Sequence, residues 1–212
     1  MQLVIGNKNY SSWSLRPWLL LSYFSIEFSE EQIWLSSQTT SSQMQGKCPN
    51  AKVPVLIDRG HKIWDSLAIC EYLNEQQLEG KGWPKDRVKR SIARSICAEM
   101  HASFFAIRGE MPMNCRRPRA AITLTNQAQS EITRIIEIFE DCLSQGDQGF
   151  LFNQFSIADA FYMPIIVRFN SYAIKVPESV HQYMQRMLAL PAYRAWLIAA
   201  RAERAVIAEE EL

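Results

Sequence analysis

Apolar positions fall into two regimes along this chain: short runs separated by turn residues up to Leu78, and helix-spaced stripes beyond Asp86. Leu3, Val4 and Ile5 form a compact apolar run that stops at Gly6-Asn7, which predicts a short buried strand. A polar elbow, Tyr10 to Ser14, leads into the apolar stretch Leu15 to Phe24. Pro17 restricts where that helix begins, because proline lacks an N–H and fits only a first turn; the spacing predicts an N-cap between Ser12 and Ser14. Ile26-Glu27-Phe28 opens an alternating segment that continues to Leu35 as a second strand, and the polar run Ser36 to Gly46 reads as a loop or short irregular helix. Val53 to Asp58 and His61 to Trp64, joined at Arg59-Gly60, read as a hairpin. Pro54 sits at the start of its first strand, where a missing ladder donor is tolerated. Asp65-Ser66 then precedes the helix LAICEYLNEQ.

Glu79 to Asp86, EGKGWPKD, has the glycine, proline and mixed charge of a linker, and the pattern after it is helical only. Val88, Ile92, Ile96, Met100 and Phe104 recur every fourth residue, and Met111-Pro112-Met113-Asn114 ends that stretch. A second stripe runs from Leu124 to Leu143 and closes at Gly146 and Gly149. Ser156 and Asp159 form a close relative of the capping box ahead of AFYMPIIVRF, where Pro164 is expected to kink the helix. Two more helices are expected at Val180 to Met187 and Pro191 to Ala202, with a frayed acidic end at Glu209 to Glu211. The fold class expected is therefore an α/β layer over residues 1–78, a linker over 79–86, and an all-α domain over 87–212.

Composition changes this picture mainly by exclusion. With 23 basic and 22 acidic residues the net charge is +1, which leaves no electrostatic footprint for nucleic acid. The local basic runs, Lys85 to Arg94 and Arg116, Arg117, Arg119, read as solvated helix faces. No window is apolar enough to span a membrane and no secretory signal opens the chain, so a soluble cytoplasmic protein is expected. Five scattered cysteines form no C-x-x-C pair and have no histidine at metal-ligand spacing, so no metal is expected and the thiols read as reduced. Cys115, among three arginines, is the one with a setting that could lower a thiol pKa.

The candidate chemistry lies at the two helix starts. Ser11 and Ser12 stand beside a helix N-terminus, where free N–H groups and the dipole favour an anion; the same residues also serve as ordinary caps. Asp65-Ser66 has the same double reading at the next α/β helix.

Taken in order, YSSWSLRPWLL, KVPVLID with IWDSLAICEYL, and FSIADAFYMP resemble the cytosolic glutathione transferases over essentially the whole chain. The first stretch resembles the serine-type classes and most closely the zeta class, the maleylacetoacetate isomerases. That class carries Ser-Ser-Cys where this chain has Ser11-Ser12-Trp13, which puts zeta-type isomerisation in question. The resemblance implies a thioredoxin-like first domain, an all-helical second domain, a homodimer and glutathione as co-substrate, with neither metal nor nicotinamide. It implies that Ser11 is the serine that stabilises the thiolate, with Ser12 the near alternative and Tyr10 a third candidate. It implies further that the backbone of Val53, held by a cis Pro54, pairs with the cysteinyl part of glutathione. Asp65 would then face the γ-glutamyl ammonium, Ser66 its carboxylate, and Lys52 the glycyl carboxylate. A second-substrate pocket for a small electrophile would draw on Trp13, Met100, His101, Phe104, Arg108 and Met111, with Arg108 suited to an anion. The expected activity is transfer of glutathione to that electrophile, or reduction of a peroxide or disulfide. The alternatives are a zeta-like cis–trans isomerase and a glutathione-binding module without turnover.

Overall fold

The computed structural model describes residues 1–35, 38–144 and 149–211. Ser36, Ser37 and Gly146, which belong to expected loops and helix ends, lie outside them. The first part contains β1 (Gln2–Ile5), α1 (Ser12–Tyr23), β2 (Ser29–Gln32), α2 (Thr40–Met44), β3 (Val55–Asp58), β4 (His61–Trp64) and α3 (Ser66–Gln76). Its four strands lie in the order β2-β1-β3-β4, with β1 and β2 parallel and the other two pairs antiparallel. Leu3 pairs with Leu56 and Val4 with Val55, so the strand period of two separates the faces. Leu3 and Ile5 enter the main core with α1 and α3, whereas Val4 and Val55 pack with Ile33, Met44 and Cys48 on the other side. β2 is shorter than the alternation suggested, because Ile26 and Phe28 pack before pairing begins.

The second part contains α4 (Arg87–Ala102), α5 (Phe105–Glu110), α6 (Asn126–Leu143), α7 (Ile157–Ser171), α8 (Glu178–Ala189), α9 (Pro191–Ala202) and a short 3-10 turn at Ala208–Glu210. The stripe expected to run unbroken to Phe104 stops at Ala102, because Phe104 adopts a left-handed conformation (φ +64°) that starts α5 in a new direction. α7 is buried on nearly every side and packs against α1, α4 and α8. A helix apolar all round belongs at the centre of a fold, which is where this one lies. The segment over 79–86 is pinned at its centre: Trp83 is buried, its Nε1 donates to Glu71 (2.9 Å), and Gly82 N–H donates to Asn74 (2.9 Å).

The N-cap of α1 is Ser11, one residue earlier than the proline argument allowed. Pro17 therefore lies beyond the first turn, where its missing N–H leaves only the Trp13 carbonyl without its helical donor. No helix among the described residues is long and apolar enough to cross a membrane.

Candidate active site

The elbow between β1 and α1 is held from two directions. From within, the Asn7 carbonyl accepts from Tyr10 N–H (3.2 Å) and Ser11 N–H (2.8 Å). From the far end of the chain, the Glu203 carboxylate accepts Lys8 N–H (2.6 Å) and Asn9 N–H (3.0 Å). Arg116 adds a third tie by donating to the Glu203 and Ala205 carbonyls and to Tyr10. Two charge-assisted bonds to backbone N–H groups are the strong kind, so the elbow's shape depends on the C-terminal segment.

On that elbow Ser11 is buried, and its Oγ caps α1 by accepting Ser14 N–H (3.3 Å); the Ser11 and Ser14 oxygens lie 2.8 Å apart. Ser12 is the first residue of α1, half-buried, with no side-chain partner among the described residues. Tyr10 lines the same hollow, but its hydroxyl is committed: it donates to Glu211 and accepts from Arg116 (2.6 Å), and burial raises its pKa above the ordinary value. Its proton is spent on the C-terminal segment.

Opposite the serines, the Val53–Pro54 peptide is cis. The Val53 N–H and C=O have no hydrogen-bond partner among the described residues, which leaves a peptide edge free for an extended ligand. Asp65 takes φ +76°, a strained value for a non-glycine residue, and caps α3 through Oδ1 to Leu67 N–H (2.8 Å) and Ala68 N–H (3.4 Å). Its Oδ2 meets His101 Nε2 at 3.0 Å, so His101 binds the second part of the molecule to the first. Ser66, at the first position of α3, is buried and its hydroxyl has no partner among the described residues. A buried hydroxyl at the start of an 11-residue helix is placed to donate to an acceptor such as a carboxylate.

Two adjoining hollows join these groups. One, about 450 Å³, is lined by Ser11, Ser12, Trp13, Val53, Arg108 and Arg168 among others, and the second, about 270 Å³, by Pro54, Asp65, Ser66 and His101. Trp13, Lys52 and Val53 line both, so they form one cleft. Lys52 is exposed at its rim. A separate hollow of about 470 Å³ between the 79–86 segment and the 152–156 loop contains none of these residues.

Arg108 and Arg168 line the cleft, and Arg16 is buried behind Trp13. Arg16 and Arg108 both lie over the Trp13 ring, at 4.2 and 4.7 Å from its centroid, and Arg16 also lies over Phe161 (4.6 Å). Arg16 is buried, its Nε and Nη1 have no partner among the described residues, and burial with the Arg108 and Arg168 charges pushes it down to about 9. Arg168, buried on α7, is pushed down to about 10 by burial first and Arg108 second. None of the three arginines makes an ion pair among the described residues. Rings hold Arg16, a ring and a carbonyl hold Arg108, and carbonyls hold Arg168, while Glu131 and Glu210 act on Arg108 and Arg168 from beyond ion-pair distance.

Of the residues named for a second-substrate pocket, Trp13, His101 and Arg108 line the cleft. Met100, Phe104 and Met111 do not: their side chains are in the core, as apolar groups at helical spacing ordinarily are. Met100 and Met111 instead support the cleft arginines: their carbonyls accept from Arg108 and from Arg168 Nε (2.7 Å), and the Met100 sulfur lies 3.9 Å from the Arg108 guanidinium. Arg168 and the C-terminal Ile207 and Glu210 line the cleft and were missed. The signal for Arg168 was a lone arginine in the apolar run MPIIVRF. The acidic end read as frayed is instead folded, with Glu210 half-buried and Glu211 bonded to Tyr10 and Arg116. Cys115 is buried, and desolvation pushes its thiol up to about 12, opposite to what reactivity requires.

Residues 10–76 match the family model for the glutathione S-transferase N-terminal domain, and residues 117–199 that for the glutathione S-transferase C-terminal domain. Among curated proteins, a probable maleylacetoacetate isomerase of Caenorhabditis elegans is 36% identical over 86 residues, 41% of this chain; the chain spans only 40% of that relative's length. Among solved structures, a glutathione transferase homolog from Burkholderia gl BGR1 with bound glutathione is 22% identical, with TM-score 0.73, covering 95% of this chain and 98% of that one. A maleyl pyruvate isomerase described as a bacterial zeta-class glutathione S-transferase is 17% identical, with TM-score 0.73 and coverage of 97% and 100%. At these identities the two structures show the fold: a thioredoxin-like domain followed by a helical one.

Proposed function

The chain belongs to the glutathione transferase superfamily, and on that premise we propose that it binds glutathione in the cleft and transfers it to a small electrophile carrying a carboxylate. The observation that carries this reading is the convergence of three polar groups on one cleft: the Ser11–Ser12 start of α1, and the Val53 peptide and Ser66 hydroxyl, neither of which has a partner among the described residues. Their order suits the tripeptide, with its thiol at Ser11, its cysteinyl peptide along Val53, its γ-glutamyl carboxylate at Ser66 and its glycyl carboxylate near Lys52. Asp65 receives the γ-glutamyl ammonium with one oxygen while His101 and the helix start hold the carboxylate in place.

The chemistry is thiolate attack. A free thiol has a pKa of about 8.5, and lowering it by about two units requires roughly 2.7 kcal/mol in favour of the anion. A serine hydroxyl donating to an anion contributes about 1.5–3 kcal/mol and a helix N-terminus about 0.3–1 kcal/mol, which together reach that figure. The thiolate sulfur then forms a C–S bond to the electrophilic carbon. The displaced electron pair departs with the leaving group, or, in addition to an activated double bond, the resulting carbanion takes a proton from water.

Arg108 and Arg168 line the cleft and outnumber Glu210, the carboxylate beside Arg168 in the same lining, and this favours an anionic second substrate. They also favour a second reading, suggested by the name of the C. elegans relative: glutathione-dependent cis–trans isomerisation of a carboxylated alkene. There the C–S bond forms, the former double bond rotates, and the thiolate is expelled unchanged. The two readings separate on product: with glutathione and a maleyl-type substrate, an isomerase returns all its glutathione, whereas a transferase consumes one per product. Absence of both outcomes, with glutathione bound, would remove the catalytic proposal. Five unpaired buried cysteines accord with a reducing, cytoplasmic location, and a homodimer is part of the same proposal.

A further inference from the structure

Ser14 lies two residues into α1 and is fully buried. Its Oγ accepts Gly6 N–H (3.1 Å) and lies 2.8 Å from Ser11 Oγ, while its own N–H donates to Ser11 Oγ (3.3 Å). Two hydroxyls at 2.8 Å share one hydrogen bond, and a hydroxyl proton rotates to whichever direction satisfies more groups. If Ser11 donated, Ser14 Oγ would accept twice and its own proton would be left without an acceptor among the described residues, away from solvent. A buried unsatisfied donor is costly enough to decide the direction. If Ser14 donates, every group is satisfied. Gly6 N–H gives to Ser14, Ser14 gives to Ser11, and Ser11, having accepted from both the N–H and the O–H of Ser14, has only its own proton left to give. Ser11 lines the cleft, so that proton is available there.

We propose that Ser14 is a positioning residue: its buried hydroxyl, anchored on Gly6 N–H, fixes Ser11 as an acceptor towards α1 and a donor towards the cleft. The proposal rests on Ser11 being the thiolate's donor. It separates Ser11 from Ser12, whose hydroxyl has no such anchor and must be ordered by the ligand itself.

The test is a double-mutant cycle of Ser11→Ala and Ser14→Ala read by titration of the bound glutathione thiol, with glutathione affinity and kcat measured alongside. Ser14→Ala is expected to raise the thiol's midpoint by roughly half a pH unit and to lower kcat about threefold to tenfold, the yield of one neutral hydrogen bond, with KM for glutathione within about twofold. In the Ser11→Ala background it should have no further effect on the midpoint. Ser14→Cys, which keeps the volume and weakens the donor, should move the midpoint in the same direction. A Ser14→Ala shift of equal size in both backgrounds, or no shift in either while Ser11→Ala does shift it, overturns the positioning role and leaves Ser11 standing. Should Ser11→Ala itself leave the midpoint at the wild-type value, the Ser11 reading has failed, and the proposal with it.

Discussion

A hydroxyl at a helix start can satisfy the backbone or a ligand, and Ser11 and Ser12 divide these tasks unequally. Ser11 caps α1 by accepting Ser14 N–H and, with the proposed donation from Ser14, keeps a proton to give, whereas Ser12 is half-buried with no side-chain partner among the described residues. Ser12→Ala is therefore expected to change kcat by less than about fivefold, compared with about a hundredfold for loss of the charge-assisted donor in Ser11→Ala. The arginines carry a second prediction. Arg168→Met should raise KM for a carboxylated electrophile about 10- to 100-fold, the loss of one charge-assisted pair, and leave KM for a neutral electrophile within about threefold. Equal effects on both would mean that Arg168 shapes the cleft rather than recognising charge. Ser11 entered as a candidate through its place beside a helix start and the family resemblance, whereas the capping argument from Pro17 pointed one residue too late, because it took the proline to lie in the first turn. Arg168 was not legible in the sequence, since its opening onto the cleft depends on Met111 and Glu210, which come from distant parts of the chain. Periodicity identified the face of α4 that carries Met100, but it says which side is apolar and not what covers that side.

At the scale of elements, the α7 capping box does more than start a helix. The Asp159 carboxylate accepts Ser156 N–H (2.9 Å), Ser156 O–H (2.9 Å), Leu151 N–H (3.1 Å) and Tyr183 O–H (3.1 Å), tying the preceding loop and α8 to the central helix. Ser156→Ala should cost about 1–2 kcal/mol in a denaturant titration. Burial raises Asp159 from its usual 3.8 to about 6. The folded protein thus holds this proton more tightly than the unfolded chain does. The resulting stability is fully present below the unfolded pKa, about 4, and is lost as pH rises through about 6, a span of roughly 3 kcal/mol. The difference in unfolding free energy between wild type and Asp159→Asn is expected to shrink by about that amount from pH ~4 to pH ~7; a difference that grows over the same range contradicts this placement. Element types were readable because strand and helix periods differ so clearly on the two sides of the 79–86 segment. The left-handed break at Phe104 was not, because a phenylalanine carries no turn signature and tertiary packing sets its backbone.

Over the whole molecule, the candidate active site is assembled from both ends of the chain. Glu203 braces the elbow that presents Ser11, Ile207 and Glu210 line the cleft, and His101 reaches across to Asp65. Glu203→Ala should cost about 2–3 kcal/mol of stability by leaving two elbow N–H groups without their charged acceptor, and should weaken glutathione binding with it; an unchanged midpoint of chemical unfolding would show that the C-terminal segment merely rests on the elbow. All of this geometry converges on one physical consequence, a glutathione thiol held as an anion at the start of α1. The most direct measurement is the ultraviolet titration of the bound thiol in wild type and in Ser11→Ala. A midpoint about two pH units below that of free glutathione, returned to within about half a unit of the free value by the substitution, is expected. A bound thiol that titrates like free glutathione in the wild-type protein would contradict it.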